Sequence, residues 1–210
     1  MDVSRVVVIG AGTMGNGIAQ VMAQAGVPVS MVDTYEESLE RGLTTIRRNL
    51  QRGVERGRLQ QEDMDLALSL LESGTSYEPV QTAEVVIEAV PEVLEIKRDV
   101  FERIDELAPD GAVLASNTSS ISITALGAFT SRPSRVVGMH FFNPVPVMTL
   151  VEVVRGLSTD DEAVNLVTQL ATQAGKTPVE VNDYPGFVSN RVLLPMINEA
   201  AFCLMAGVAT

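Results

Sequence analysis

Histidine is the side chain best suited to moving protons at neutral pH, and this sequence has a single one, His140. It stands at the end of an apolar run in Val136-Val137-Gly138-Met139-His140-Phe141-Phe142-Asn143-Pro144. In an open α/β sheet, ligands bind at the C-terminal ends of such strands. Taken alone, a histidine there is more often a satisfied structural residue. The following stretch, Thr149-Leu150-Val151-Glu152-Val153-Val154, changes that balance, because it places a carboxylate among aliphatic residues, where an unpartnered charge is costly. A histidine on the neighbouring strand is its natural partner. A carboxylate so placed fixes the imidazole tautomer and stabilises the imidazolium, which a general base needs. His140 and Glu152 are therefore the candidate acid–base pair.

A second chemistry is written at the N-terminus. In Val6-Val7-Val8-Ile9-Gly10-Ala11-Gly12-Thr13-Met14-Gly15 the pattern G-x-G-x-x-G follows a buried strand and opens a helix. Gly10 suits the tight turn, Gly12 the close approach of backbone to a pyrophosphate, and Gly15 the packing of helix on strand; Thr13 and Met14 complete the phosphate turn. A second strand ends in Val32-Asp33, and Asp33 is the acid expected to accept hydrogen bonds from the adenosine ribose. Thr34-Tyr35 after it offer no arginine for a 2′-phosphate, so the cofactor expected is NAD rather than NADP.

These residues need a scaffold, and strands alternate with helices as in an α/β fold with a largely parallel sheet. Strands are expected at Arg5 to Ile9, Pro28 to Val32, Val85 to Glu88, Ala112 to Ser116, Arg135 to Met139, Thr149 to Val154 and Pro178 to Val181. Helices are expected at Met14 to Ala25, as a long inserted pair from Glu36 to Leu71, and at Glu95 to Leu107, Ile123 to Phe129 and Glu162 to Ala174. Tyr184-Pro185-Gly186 breaks the pattern, and a single apolar helix runs from Phe187 onward. The fold expected is a Rossmann-type, doubly wound sheet with a helical pair inserted after the second strand.

Composition narrows the partners. A formal charge of -12 argues against nucleic acid, which wants a basic surface. No apolar run approaches a membrane span, and the chain opens straight into a strand without a signal pattern, so a soluble cytoplasmic protein is expected. Cys203, the one cysteine, is expected to be an inert core residue, with no disulfide framework. One histidine and scattered carboxylates lack metal-ligand spacing. Six arginines between Arg41 and Arg58 face the single acid Glu55; a solvated helix face explains them, and so does attraction for a polyanionic small molecule.

Two polar clusters complete the pattern, Ser116-Asn117-Thr118-Ser119-Ser120 and Ser189-Asn190-Arg191, each of which by itself could be helix capping. Together with the glycine motif, Gly-Met-His-Phe-Phe-Asn-Pro-Val, Leu-Val-Glu-Val-Val and Pro-Gly-Phe-Val-Ser-Asn-Arg, they resemble the L-3-hydroxyacyl-CoA dehydrogenases, including the bacterial 3-hydroxybutyryl-CoA enzymes. The resemblance covers essentially the whole chain. It implies NAD-dependent, reversible oxidation of an L-3-hydroxyacyl-CoA to the 3-ketoacyl-CoA, as in fatty acid β-oxidation or butanoate metabolism, with His140 as acid/base and Glu152 as its partner. It places Ser119 and Asn190 around the reacting hydroxyl or carbonyl and the nicotinamide, and Glu92, Lys97, Asn117 and Asn143 around the cofactor. The inserted pair, about 36–72, resembles the family's coenzyme A arm, with Asn49 and Arg56 as approximate substrate contacts; Asn49 departs from the serine often found there.

The same resemblance divides the chain into an NAD-binding domain, 1–185, and the first helix, 186–210, of an all-helical domain that the family continues and uses for dimerisation. A homodimer is expected. The terminal helix is too apolar to project into water, so it is expected to pack on its own domain or to exchange with a second copy. Two other readings stand beside the dehydrogenase: a related NAD enzyme acting on a non-CoA hydroxy acid, such as a sugar acid, and a non-catalytic NAD-binding protein. The arginine-rich arm favours CoA over the first, and the intact His140–Glu152 pair speaks against the second.

Overall fold

Runs of β-branched residues that are apolar on both faces suit strands covered from both sides, and in the computed structural model, which describes residues 3–209, they form the centre of one sheet. Eight strands run β1 (Val6–Ile9), β2 (Val29–Val32), β3 (Leu71–Gly74), β4 (Val85–Glu88), β5 (Val113–Ser116), β6 (Val136–Phe141), β7 (Leu150–Arg155) and β8 (Thr177–Asn182). Their spatial order is β3-β2-β1-β4-β5-β6-β7-β8. Every neighbouring pair is parallel except β6 and β7, which are antiparallel.

Alternation along β1 divides the core. Val6 and Val8 pack on one face with Ile18 and Met22 of α1 (Thr13–Gln24), Ile46 and Leu50 of α2 (Glu36–Glu55) and Val167 of α6 (Asp161–Gln173). Val7 and Ile9 pack on the other with Phe101 and Ile104 of α4 (Leu94–Leu107) and Leu126 of α5 (Ile123–Gly127). Helices thus cover both faces, as the Rossmann-type reading requires. The strand order reverses between β1 and β4, which opens a crevice at the carboxyl ends of these strands, where such sheets bind ligands.

Four local expectations are corrected. The inserted helical pair is α2 and α3 (Gln61–Ser69), and Leu71 lies beyond it in β3. This edge strand has no apolar alternation to announce it and exists because Leu71 to Gly74 pair with Val29 to Val32. β6 continues past Met139 to Phe141, held by its antiparallel register with β7. The terminal helix α7 (Ser189–Met205) touches its own domain at its first turn, through Ser189 to Glu152 and Asn190 to Ser119, but none of its residues is buried, so of the two covers expected for it the domain itself supplies little. Cys203, carried on it, is half-buried rather than core. No described helix is long and apolar enough to cross a membrane.

Candidate active site

The phosphate cradle is built from backbone. Gly10 has φ +104, a left-handed conformation, and a Cβ there would lie 2.6 Å from the Ala89 carbonyl oxygen. A Cβ on Gly15 would lie 1.8 Å from the Gly10 carbonyl oxygen, so only glycine lets α1 start against the β1 turn. Gly12 is different, since a Cβ there meets nothing within 4 Å. The N-terminus of α1 has no side-chain cap. Its first N–H groups therefore have no side-chain acceptor, and Gly12, Thr13 and Met14 line a cleft, the arrangement that binds a phosphate.

Asp33 is tied to this turn. One carboxylate oxygen accepts from the Ala11 N–H at 2.8 Å and the other from the Tyr35 N–H at 3.0 Å. Above it lies a cleft of about 670 Å³ lined by Gly10, Gly12, Thr13, Met14, Asp33, Tyr35 and Tyr77, among others. Tyr77 is backed by the Arg103 guanidinium, 3.9 Å from the ring centroid. Among the described residues, no lysine or arginine lines the cleft. Open N–H groups beside an acid, with no cation for a 2′-phosphate, fit NAD.

A second cleft, of about 460 Å³, shares Met14, Ala89 and Val90 with the first and is lined by His140, Asn117, Ser119, Phe142, Asn143 and Asn190. Here β6 and β7 pair His140 directly with Glu152. In an antiparallel pair such partners share a face, and His140 Nδ1 lies 2.8 Å from Glu152 Oε2. An ionised carboxylate only accepts, so Nδ1 carries the proton and Nε2 is the nitrogen left for the cleft. Phe142 and Phe187 flank the imidazole, at centroid distances of 4.5 and 5.8 Å. Burial alone would raise the Glu152 carboxyl; hydrogen bonds from His140 and from the Ser189 N–H and hydroxyl outweigh it and hold the group below its ordinary range.

The walls of this cleft come from three loops tied by charge. Glu88, at the end of β4, is wholly buried; it accepts from the Val90 N–H at 2.7 Å, the Lys97 ammonium at 2.7 Å and the Ser116 hydroxyl at 2.6 Å. Lys97 also meets Glu92 at 3.2 Å. Glu92 in turn accepts from the Thr118 hydroxyl, the Ser119 N–H and the Ser120 hydroxyl. Burial would raise Glu92, but Thr118, Lys97 and Ser119 together lower it. Asn117 Oδ1 accepts from the Phe141 N–H at 2.9 Å, and Asn190 Nδ2 donates to the Ser119 carbonyl at 3.2 Å.

The structure thus brings His140, Glu92, Lys97, Asn117, Ser119, Asn143 and Asn190 to one cleft, with Glu152 directly behind His140. Gly10, Gly12, Thr13, Met14 and Asp33 line the adjoining one, with Gly15 packed beneath the turn. Asn49 and Arg56 line neither. Asn49 Nδ2 donates to Gln20 of α1 at 3.2 Å, and Arg56 is exposed at the end of α2 with Arg47, Arg48, Arg52 and Arg58. Sequence reasoning missed Glu88, and it named Ser116 and Thr118 only as members of a polar cluster, with no role of their own. The signal for Glu88 was the one used for Glu152, a carboxylate in an apolar strand, here in Val85-Val86-Ile87-Glu88.

Comparison with known proteins gives this geometry its relatives. The profile of the 3-hydroxyacyl-CoA dehydrogenase NAD-binding domain matches residues 5–184. The probable 3-hydroxybutyryl-CoA dehydrogenase of Bacillus subtilis is 48% identical over 209 residues, 100% of this chain and 73% of its own length. The 3-hydroxybutyryl-CoA dehydrogenase of Clostridioides difficile is 42% identical over 206 residues, 98% of this chain and 73% of that one. The crystal structure of (S)-3-hydroxybutyryl-CoA dehydrogenase from Ralstonia eutropha superimposes with a TM-score of 0.97 at 45% identity, covering 100% of this chain and 74% of that one. The glycine cradle with its acid, the profile match over most of the chain and the shared fold have one meaning: the chain belongs to the 3-hydroxyacyl-CoA dehydrogenase family, as its NAD-binding domain.

Proposed function

We propose that this chain forms the cofactor and acid–base half of a dehydrogenase that reversibly oxidises an L-3-hydroxyacyl-CoA, 3-hydroxybutyryl-CoA among them, to the 3-ketoacyl-CoA. The observation that carries it is the 2.8 Å contact of His140 Nδ1 with Glu152, which leaves Nε2 for a cleft continuous with the NAD cradle. Bound NAD supplies the acceptor for the hydride from C3. His140 Nε2 takes the hydroxyl proton as the C3–O bond becomes a carbonyl, and in reduction the imidazolium returns it. Glu152 offsets the positive charge that His140 then carries. Ser119 and Asn190 hold the substrate oxygen and the nicotinamide in this reading; what supports it is that both line the cleft with His140 and that Asn190 donates to the Ser119 carbonyl. Glu92 and Lys97 fix the loop that carries Ser119, while Asn117 and Asn143 shape the cofactor side.

The exposed arginines of α2, within the 36–72 arm, are the surface assigned to the CoA phosphates, with Arg56 in direct contact and Asn49 at the edge. We also assign a cytoplasmic setting and pairing of two copies. What supports the pairing is α7, where Val192, Leu194, Met196, Ile197 and Leu204 are all exposed.

The test is NADH oxidation by this chain with acetoacetyl-CoA, run beside His140→Gln. Turnover is expected, and the variant should lose about 10²- to 10⁴-fold of it while binding NADH as before. NADH binding with no turnover by the unaltered chain refutes the reading for this chain.

A further inference from the structure

We propose that Ser189, the first residue of α7, is a positioning residue for the His140–Glu152 pair: its hydroxyl helps lock the carboxylate with Oε2 toward the imidazole. The proposal rests on the acid–base reading of that pair. Glu152 is 2% exposed and its two oxygens have separate duties. Oε2 meets His140, whereas Oε1 accepts from the Val188 N–H at 3.1 Å, the Ser189 N–H at 2.9 Å and the Ser189 hydroxyl at 3.0 Å. A carboxylate that turned away from His140 would have to release three donors at once. The two N–H groups come with any helix start at this place; the hydroxyl is what residue 189 adds.

The chain is bent to make these contacts. Gly186 and Phe187 both have positive φ, +79 and 49, and a side chain on Gly186 would crowd the Arg191 N–H at 3.2 Å. Phe187 is a buried non-glycine residue in a conformation that L residues rarely adopt, and such positions persist where the surroundings over-determine them. Here they sit between the imidazole, which Phe187 flanks, and the helix start that grips Glu152.

Donors to a carboxylate favour its ionised form. Removing the Ser189 hydroxyl therefore raises the proton affinity of Glu152 and leaves more negative charge facing His140, and both changes move the apparent midpoint of the coupled pair upward. Few other charges bear on it. Glu92 and Lys97, paired with each other, line the cleft from the β4–α4 side. Arg191 on α7 lies over Tyr184; Glu180 of β8 is in register with Val153, not Glu152, and pairs with Arg155 at the end of β7; and Asp183 is bound to Ser122 and the Thr124 N–H of α5.

Because the chain has one histidine, its imidazole can be followed by NMR without ambiguity of assignment. We would titrate the full chain and the variants Ser189→Ala, Ser189→Cys and Ser189→Thr. Ser189→Ala should raise the pair's midpoint by about half a unit to one unit. Ser189→Cys, similar in size and a weaker donor, should move it the same way by less, and covers the case in which alanine frays α7. Ser189→Thr, which keeps the hydroxyl, should restore the parent curve. Coincident curves for parent, Ala and Cys overturn the proposal, and so does an equal shift in Thr, which would trace the effect to helix packing. The titration needs no turnover, so absence of acetoacetyl-CoA reduction would fail the acid–base reading alone, and coincident curves would fail the positioning role alone.

Discussion

The two clefts meet at Met14, Ala89 and Val90 yet are built on opposite principles. The cofactor cradle is made by what is absent: Gly10 and Gly15 have no room for a Cβ, Gly12 leaves open space, and α1 starts uncapped. Its glycines and its acid come from β1, α1 and the end of β2, one continuous βαβ unit, and Tyr77, Ala89 and Val90 close it from outside that unit. The acid–base cleft is made of side chains already bonded to one another, His140 to Glu152, Glu152 to Ser189, Glu92 to Ser119 and Glu88 to Lys97, drawn from β4 and the loop after it, α4, the loop after β5, β6, β7 and α7. A cradle of backbone responds to volume, and a network of buried charge responds to the loss of a partner. Substitutions can separate these two responses.

The largest effect is expected from Glu152→Gln, which removes the charge facing His140. Turnover should fall about 10²- to 10⁴-fold with NADH affinity little changed, as steady-state kinetics and a binding titration will show. Lys97→Met should cost about 3–5 kcal/mol in urea unfolding, because it leaves Glu88 buried and unpaired. If it proved neutral, the distinction between network and cradle would collapse.

Gly15→Ala should destabilise by about 1–3 kcal/mol, since its Cβ must displace the Gly10 carbonyl, and should abolish NADH binding in the same experiment. Gly12→Ala sharpens the contrast. With nothing near its Cβ and φ −64, it should leave stability within about 0.5 kcal/mol. It should still weaken NADH about tenfold, because the methyl enters the space a phosphate would fill. Unchanged affinity would remove the pyrophosphate from this turn.

The smallest effect is expected from pH. In Glu152, Glu92, Asp105 and Asp183, burial would raise the carboxyl, but hydrogen bonds and cationic neighbours outweigh it and the net shift is downward. For Asp105 the opposing partners are Ser131 and Arg132, and for Asp183 they are Ser122 and Thr124. A carboxyl lowered on folding contributes fully above its unfolded value, about 4, and loses that contribution as pH falls through the folded value. Urea midpoints should therefore hold level from pH 8 to 6 in respect of these groups and decline from about pH 5 downward. All four lie outside the βαβ cradle. A decline that began near neutrality would place the cause elsewhere.

How far this molecule could be read without its structure follows the same division. Val6 to Gly15 and Val32-Asp33 announced the cradle because each requirement there, a buried strand, a turn without side chains and an acid one strand later, is local in the chain. The run of β-branched segments likewise determined a doubly covered, largely parallel sheet, and Glu152, stranded among valines, was marked as the partner of His140. The edge strand β3 was invisible because pairing with β2, and no property of Leu71-Glu72-Ser73-Gly74, makes it a strand.

Only the folded chain decided the rest. It set His140 opposite Glu152 in register, gathered Glu88, Lys97, Glu92 and Ser116 into one buried network, and brought Ser189 back across the sheet to the same carboxylate. It also left α7 without a buried residue, where apolar composition had called for cover by its own domain or by a second copy. The physical reason is common to all of these. Periodicity and glycine spacing report forces between near neighbours in the chain, whereas the partner of a buried charge is chosen by strand order and register, which place residues far apart in sequence within hydrogen-bonding distance.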